Sequence, residues 1–208
     1  MKILYVDTSS SYLYSGIVEE NNLICEVKKE FGHNLSEEAL PAIVSMFDDN
    51  NLKSTDIEKI IVVNGPGSFT GIRIGITIAK VFAWSLNIPI TTITSLEAMM
   101  LSSKSQSYHV PVIDARRGFV FGAIYDDKNQ EILKPQHIKL DILNQKLEEI
   151  PNYYFITNDE LDLEGNIEQY SPDILKIVNY FKNKESINPH IVNPDYLKLT
   201  EAEENNNK

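Results

Sequence analysis

The chain has 208 residues, of which 42% are hydrophobic and 24% charged, enough apolar material for a folded core in one domain or two small lobes. With 30 acidic against 19 basic side chains the formal net charge is −11, which argues against autonomous binding of nucleic acid and leaves room for a basic partner surface. Cys25 is the only cysteine, so an internal disulfide and a thiolate metal cluster are excluded, and a cytoplasmic location is expected.

The opening "MKILYVDTSS" lacks the apolar run of a signal peptide, and the most apolar stretch, 72–86, is broken by Arg73 and Lys80; no membrane segment is expected. Three strands are read in "KILYVDTSS", "YLYSGIVEE" and "NLICEVKKEF", with turns near Ser9–Ser11 and at "EENN". A helix follows from about Ser36, its hydroxyl placed as the cap, with Pro41 kinking its start; Leu40, Ile43, Val44 and Phe47 fall at the spacing of one buried face. "KIIVVN" reads as a strand buried on both faces that leads into "GPGSFTG". A helix from Phe69 to Leu86, ended by Asn87 and Pro89, precedes the strand "IPITTIT" and a short helix from Ser95.

The second half begins with "YHVPVIDARRGFVFGAIYDD", two strands around a tight turn at "ARRG" that repeat the opening hairpin and suggest two related lobes. A helix is expected at "DILNQKLEEI", a strand at "NYYFITN", and a helix at "SPDILKIVNYF" with Ser171 as N-cap and Pro172 at its first position. The last residues, "EAEENNNK", read as a frayed tail. The expected domains are 1–106, 107–198 and a tail at 199–208.

The glycine-rich loop fits neither common nucleotide fingerprint. It ends "SFTGIR" without the lysine of a phosphate loop, its glycines are one residue too widely spaced for a dinucleotide site, and no Asp or Glu lies between Gly71 and Leu96 to hold a ribose. Instead Gly71, Gly75, Ala79 and Ala83 form a ridge of small residues along one helix face. Each interior glycine costs a helix about 1 kcal/mol relative to alanine, so a close approach must offset it. Two readings stay open: packing against another helix of the same chain, or an intermolecular interface.

In order and spacing, "ILYVDTSS", "FGHNLSEEALPAI", "VVNGPGSFTGIRIGITIAKVFAWSLNIPI", "TSLEAMM", "VIDARRGFVFGAIYD" and "NPDYLKL" resemble the TsaB (YeaZ) family. The resemblance implies an α/β fold of the actin, sugar-kinase and Hsp70 (ASKHA) type, with two lobes that each carry a five-stranded mixed sheet. It also implies an accessory, non-catalytic role in placing threonylcarbamoyl on N6 of adenosine 37 in tRNAs reading ANN codons. The implied partners are the metal-bearing transferase TsaD and the ATPase TsaE, with tRNA reached through the complex and a homodimer when TsaD is absent. The paralogous transferase carries a pattern like "VHHLEGH"; here "ITSLEAM" puts Ser95 and Met99 where its metal-ligating histidines stand, so no metal is expected.

The resemblance points to an interface with TsaD, or with a second copy, built from Leu40, Ile43, Val44 and Phe47 of the first helix and Gly71, Ile72, Gly75, Ile76, Ala79 and Ala83 of the second. Asp7, Thr8, Ser9 and Asp114 occupy the turns where kinases of this fold hold nucleotide and metal, and count as a vestigial site; both aspartates are expected to serve backbone donors at their turns. No catalytic residue and no cofactor is expected, ATP or ADP at the TsaD interface being the one nucleotide considered. Arg73, Arg116 and Arg117 are candidate contacts to a partner or phosphate. The alternative is a kinase-like ATPase or metal-dependent peptidase of the same superfamily.

Overall fold

A computed structural model describes residues 1–197; the tail expected at 199–208, and the end of "NPDYLKL", lie outside the described residues. The first half runs β1 (Lys2–Asp7), β2 (Tyr12–Glu19), β3 (Asn22–Glu30), α1 (Leu35–Asp49), β4 (Lys59–Val63), α2 (Phe69–Leu86), β5 (Ile90–Ile93) and α3 (Ser95–Ser102). The second runs β6 (Tyr108–Asp114), β7 (Phe119–Tyr125), β8 (Glu131–Lys139), α4 (Leu140–Leu147), β9 (Tyr153–Thr157), β10 (Asn166–Gln169) and α5 (Ile174–Phe181).

The two five-stranded sheets have one topology. In the first the order is β3-β2-β1-β4-β5, with β1 antiparallel to β2 and parallel to β4. The second, read from its other edge, is β8-β7-β6-β9-β10, with β6 antiparallel to β7 and parallel to β9. This is the repeated mixed sheet of the ASKHA fold. The repeat departs at one place: α2 carries the chain from β4 to β5, whereas residues 158–165 join β9 to β10 without a helix.

By contact the chain divides into Met1–Ala98 with Pro172–Asp195, and a second unit built on Met99–Ser171. The segment 172–195, expected in the second lobe, therefore belongs with the first. Its helix α5 buries Ile174, Ile177, Val178 and Phe181, and Ile174 lies against Gly16 on the face of the first sheet opposite α1 and α2. Lys59, buried at the start of β4, fixes the end of α5: its Nζ donates to the carbonyls of Lys182 and Lys184, each at 2.9 Å. A buried ammonium without such acceptors would be costly.

Each unit has its own core. Leu4, Val6, Ile17, Ile60 and Val62 of the first sheet pack under α1 and α2, and Val110, Val112, Val120, Ile124 and Phe155 of the second pack with Leu143 and Leu147 of α4. All five residues of β4 are buried, as its unbroken β-branched run requires.

Several local expectations change. Asn34, not Ser36, stands before α1, and makes no side-chain capping bond. The buried stripe of α1 is Leu35, Ala39, Ile43, Met46 and Phe47, while Leu40 and Val44 are exposed: the apolar arc of this helix is wider than the sheet beneath it can cover. The cap of α5 is Asp173, whose carboxylate accepts from the Lys176 N–H at 2.9 Å, displacing Ser171 from that role. Strands β8 and β10 were not foreseen, since their residues are mostly exposed or half-buried and carry no clean alternation.

α2 shows why its glycines are there. Ser68 caps it by accepting from Gly71 N–H at 3.1 Å, and Asn87 closes it in the left-handed conformation at φ 53°. A Cβ on Gly71 would overlap the Thr8 carbonyl oxygen, and one on Gly75 would overlap Thr8 Oγ1. Because the first obstacle is backbone, Gly71→Ala should lower the melting temperature by about 3–10 °C, despite the ~1 kcal/mol that alanine gains in a helix. Calorimetry of that variant checks this. An unchanged or higher melting temperature would show that the close approach at Thr8 is not a constraint.

Candidate functional site

The β1–β2 turn, Asp7-Thr8-Ser9, is buried beneath the start of α2. Its polar groups are directed to neighbours in the same unit. Ser9 N–H donates to Asp7 Oδ1 at 2.8 Å, Thr8 Oγ1 donates to the Gly71 carbonyl at 2.7 Å, and Ser68 N–H donates to the Ser9 carbonyl at 2.7 Å. Gly67, at φ +151°, brings the loop so near that a Cβ there would meet the Ser9 carbonyl oxygen. The Thr8 hydroxyl and the Ser9 carbonyl are thus engaged by the Ser68–Gly71 segment, and Asp7 Oδ1 by the Ser9 N–H two residues on.

Gly71, Ile72, Gly75, Ile76, Ala79 and Ala83 are all buried. Gly71 and Gly75 of the small-residue ridge therefore face the Thr8 turn, and Ala79 and Ala83 lie in the core that the first sheet shares with α1. Dispersion between backbones at that seam offsets what the glycines cost. Ile43 and Phe47 of α1 are buried in the same core. Six positions of α2 and two of α1 expected at an interface thus serve the interior, and only Leu40 and Val44 of that set reach solvent.

The opposite face of α2 is unexpectedly apolar. Phe69 is 53% exposed, Val81 57% and Trp84 66%, and on α1 Leu40 is 45% and Val44 47% exposed. Leu40, Phe69, Arg73, Ile74, Thr77 and Ile78 line an open groove of about 410 Å³ between the two helices. The Arg73 guanidinium lies over the Phe69 ring, 3.7 Å from its centre, which gives the groove a cation at one end. Toward the other end of α2, Lys80 Nζ donates to the carbonyls of His190 at 3.2 Å and Val192 at 3.0 Å, and so holds a 3-10 turn, Pro189–Ile191, beside Trp84. Ile191 there is 64% exposed.

Sequence reasoning missed Phe69, Val81 and Trp84. A signal was available: besides its buried stripe, α2 carries Phe69, Val81 and Trp84 among Arg73, Thr77 and Lys80 on its outer side, and large apolar residues on a second face are a surface to cover. By length and composition the same helix could also cross a membrane, but its inner stripe is packed on its own sheet.

In the second unit the β6–β7 turn mirrors the first. Arg116 N–H donates to Asp114 Oδ1 at 2.8 Å, the same two-residue bond that Asp7 makes to Ser9, and the Asp114 N–H donates to Asp159 Oδ2 at 2.7 Å. Arg116 Nη1 lies 3.3 Å from Asp114 Oδ2, while both arginines stay exposed. Of the two positions aligned with metal-binding histidines, Ser95 is buried and donates its hydroxyl to the Pro66 carbonyl at 2.6 Å, and Met99 is a buried core residue. Among the described residues no group of His, Cys, Asp and Glu is arranged to hold a metal ion.

Against known proteins, residues 27–170 match the family model described as TsaD: tRNA N6-adenosine threonylcarbamoyltransferase. The tRNA threonylcarbamoyladenosine biosynthesis protein TsaB of Bacillus subtilis is 33% identical across 98% of this chain and 96% of its own length. TsaB of Escherichia coli is 28% identical over 65% of this chain and 64% of its own. The structure of YeaZ from Pseudomonas aeruginosa superposes with a TM-score of 0.76 at 18% identity, covering 94% of this chain and 99% of that one. The chain belongs to the TsaB (YeaZ) family, within the broader group of threonylcarbamoyltransferase-like proteins.

Proposed function

We propose that this chain is the non-catalytic docking subunit of the cytoplasmic machinery that places threonylcarbamoyl on N6 of adenosine 37 in tRNAs reading ANN codons, and that it works by binding the transferase TsaD. The observation that carries this reading is the set of exposed apolar side chains on α1 and α2: Leu40 and Phe69 at a groove that Arg73 also lines, with Val44, Val81 and Trp84 exposed elsewhere on the same two helices. Apolar and aromatic side chains with one arginine are the composition of an interface centre. The missing imidazole pair at Ser95 and Met99, and the engaged turn at Asp7, speak for a helper rather than a catalyst. TsaE joins the same assembly in this reading, and the isolated chain takes no cofactor.

The face also suits a second copy of the chain when the transferase is absent, because a two-helix surface can pack on itself about a two-fold axis. Both occupants use the same residues, so a single set of variants reads both.

Trp84→Ala and Phe69→Ala should each weaken co-elution with purified TsaD, with a rise in Kd of about 30-fold at a cost of ~2 kcal/mol, while the melting temperature of the chain alone stays within about a degree. Titration calorimetry against the transferase measures this; wild-type affinity in both variants would remove the face from the interface. Threonylcarbamoyl transfer in a reconstituted mixture should fall in step with docking. A separate assay addresses the kinase-like reading: the purified chain with ATP and magnesium should show no turnover above buffer. Turnover abolished by Asp7→Ala would make the turn a working site.

A further inference from the structure

The β6–β7 turn is built at a conformational cost that chain reversal alone does not explain. Arg116, Arg117 and Gly118 follow one another at φ 69°, 56° and 76°, all left-handed. Two consecutive non-glycine residues in that region are uncommon, and a hairpin that needed only to turn would carry Asn or Gly at those positions. The arrangement keeps two guanidinium groups at a loop tip, Arg116 with 87% of its side chain exposed. Its contact with Asp114 is a surface pair that an incoming anion can replace at little cost, and Arg117 makes no ion pair among the described residues.

Behind the tip lies an aromatic surface. The Phe119 and His137 rings stack at 4.6 Å with their planes 2° apart, and Phe121 leans on His137 at 5.5 Å. Lys139 sits opposite Phe119 in the β7–β8 register, its Nζ 5.8 Å from that ring's centre. Alternation puts these four side chains on the sheet face opposite α4, which packs against Val120 and Ile138 of the same strands. Phe119 and Phe121 are half-buried, while Lys139 is exposed.

In a chain of net charge −11, three cations gathered at one end of one sheet stand out, and their pairing with flat rings selects among anions. An acidic protein segment would use the charges and not the rings. We propose that this surface binds an unpaired segment of RNA, Arg116, Arg117 and Lys139 meeting phosphates and Phe119 offering a stacking platform for a base. The proposal rests on the docking reading, since the acidic chain alone would bind RNA weakly and the assembled complex supplies the remaining contacts.

The test uses the chain in complex with TsaD and an unmodified transcript of a tRNA that reads an ANN codon. Binding is titrated from 50 to 300 mM salt, and co-elution of the two proteins is followed in the same samples. Arg116→Ala with Arg117→Ala should reduce the slope of log Kd against log salt by about 1.5 and leave co-elution intact. Restoring both positions as lysine should recover the slope, and Phe119→Ala should weaken binding about tenfold with the slope unchanged. An unchanged slope in an intact complex overturns the proposal and leaves docking standing. Loss of co-elution would assign the arginines to a protein face and overturn it too. Should the wild-type proteins fail to associate, the docking reading fails; the same titration of the chain alone against a uridine oligonucleotide at 20 mM salt then decides this one, with equal binding by parent and double variant rejecting it.

Discussion

The structure of the first unit depends on one close approach, the backbone of Thr8 and Ser9 lying directly under the N-terminal turns of α2. Side chains larger than hydrogen at positions 67 and 71 would collide with carbonyl oxygens of the β1–β2 turn. The glycines therefore fix how deeply α2 sits on the sheet and how it is rotated about its axis. Once Gly71, Gly75, Ala79 and Ala83 face inward, helical geometry turns Phe69, Arg73, Val81 and Trp84 outward. The surface we assign to docking is thus the far side of a packing constraint, held at its ends by the Ser68 cap and the left-handed Asn87.

That same approach engages the polar groups of the β1–β2 turn. A turn that binds phosphate must keep its hydrogen-bonding groups directed at the ligand. Here Thr8 Oγ1, the Ser9 carbonyl and Asp7 Oδ1 each have a partner in the same unit. The second unit departs in another way, with a loop at 158–165 where the first has a helix between its parallel strands, so among the described residues it has no counterpart of α2. Its hairpin turn instead displays arginines.

Most of the fold was legible in the sequence because its signals are local and strong. The β-branched run of β4, the Phe69–Leu86 helix with Asn87 at its end, and the repeated hairpin at "DARRG" each follow from short-range chemistry, and the family resemblance supplied the pairing of sheets that local rules cannot. The direction in which the ridge faces was not legible. A stripe of small residues says that a backbone comes close, and nothing in its spacing says whose; the answer lay in Thr8, sixty-odd residues earlier, whose carbonyl carries no sequence signature. For the same reason Leu40 and Val44 were grouped with Ile43 and Phe47, although the sheet beneath α1 covers only part of its apolar arc. The return of α5 to the first unit was equally hidden, because Lys59 and the carbonyls it binds are distant in sequence.

In the docking reading α2 is a two-sided helix, committed inward to its own turn and outward to another protein. Hydroxyl-radical footprinting of the chain with and without TsaD reads the two sides separately. Trp84 and Phe69 should be oxidised readily in the free chain and become protected in the complex, while buried Met99 stays unreactive in both. A stable complex in which Trp84 and Phe69 remain as reactive as in the free chain would contradict the account.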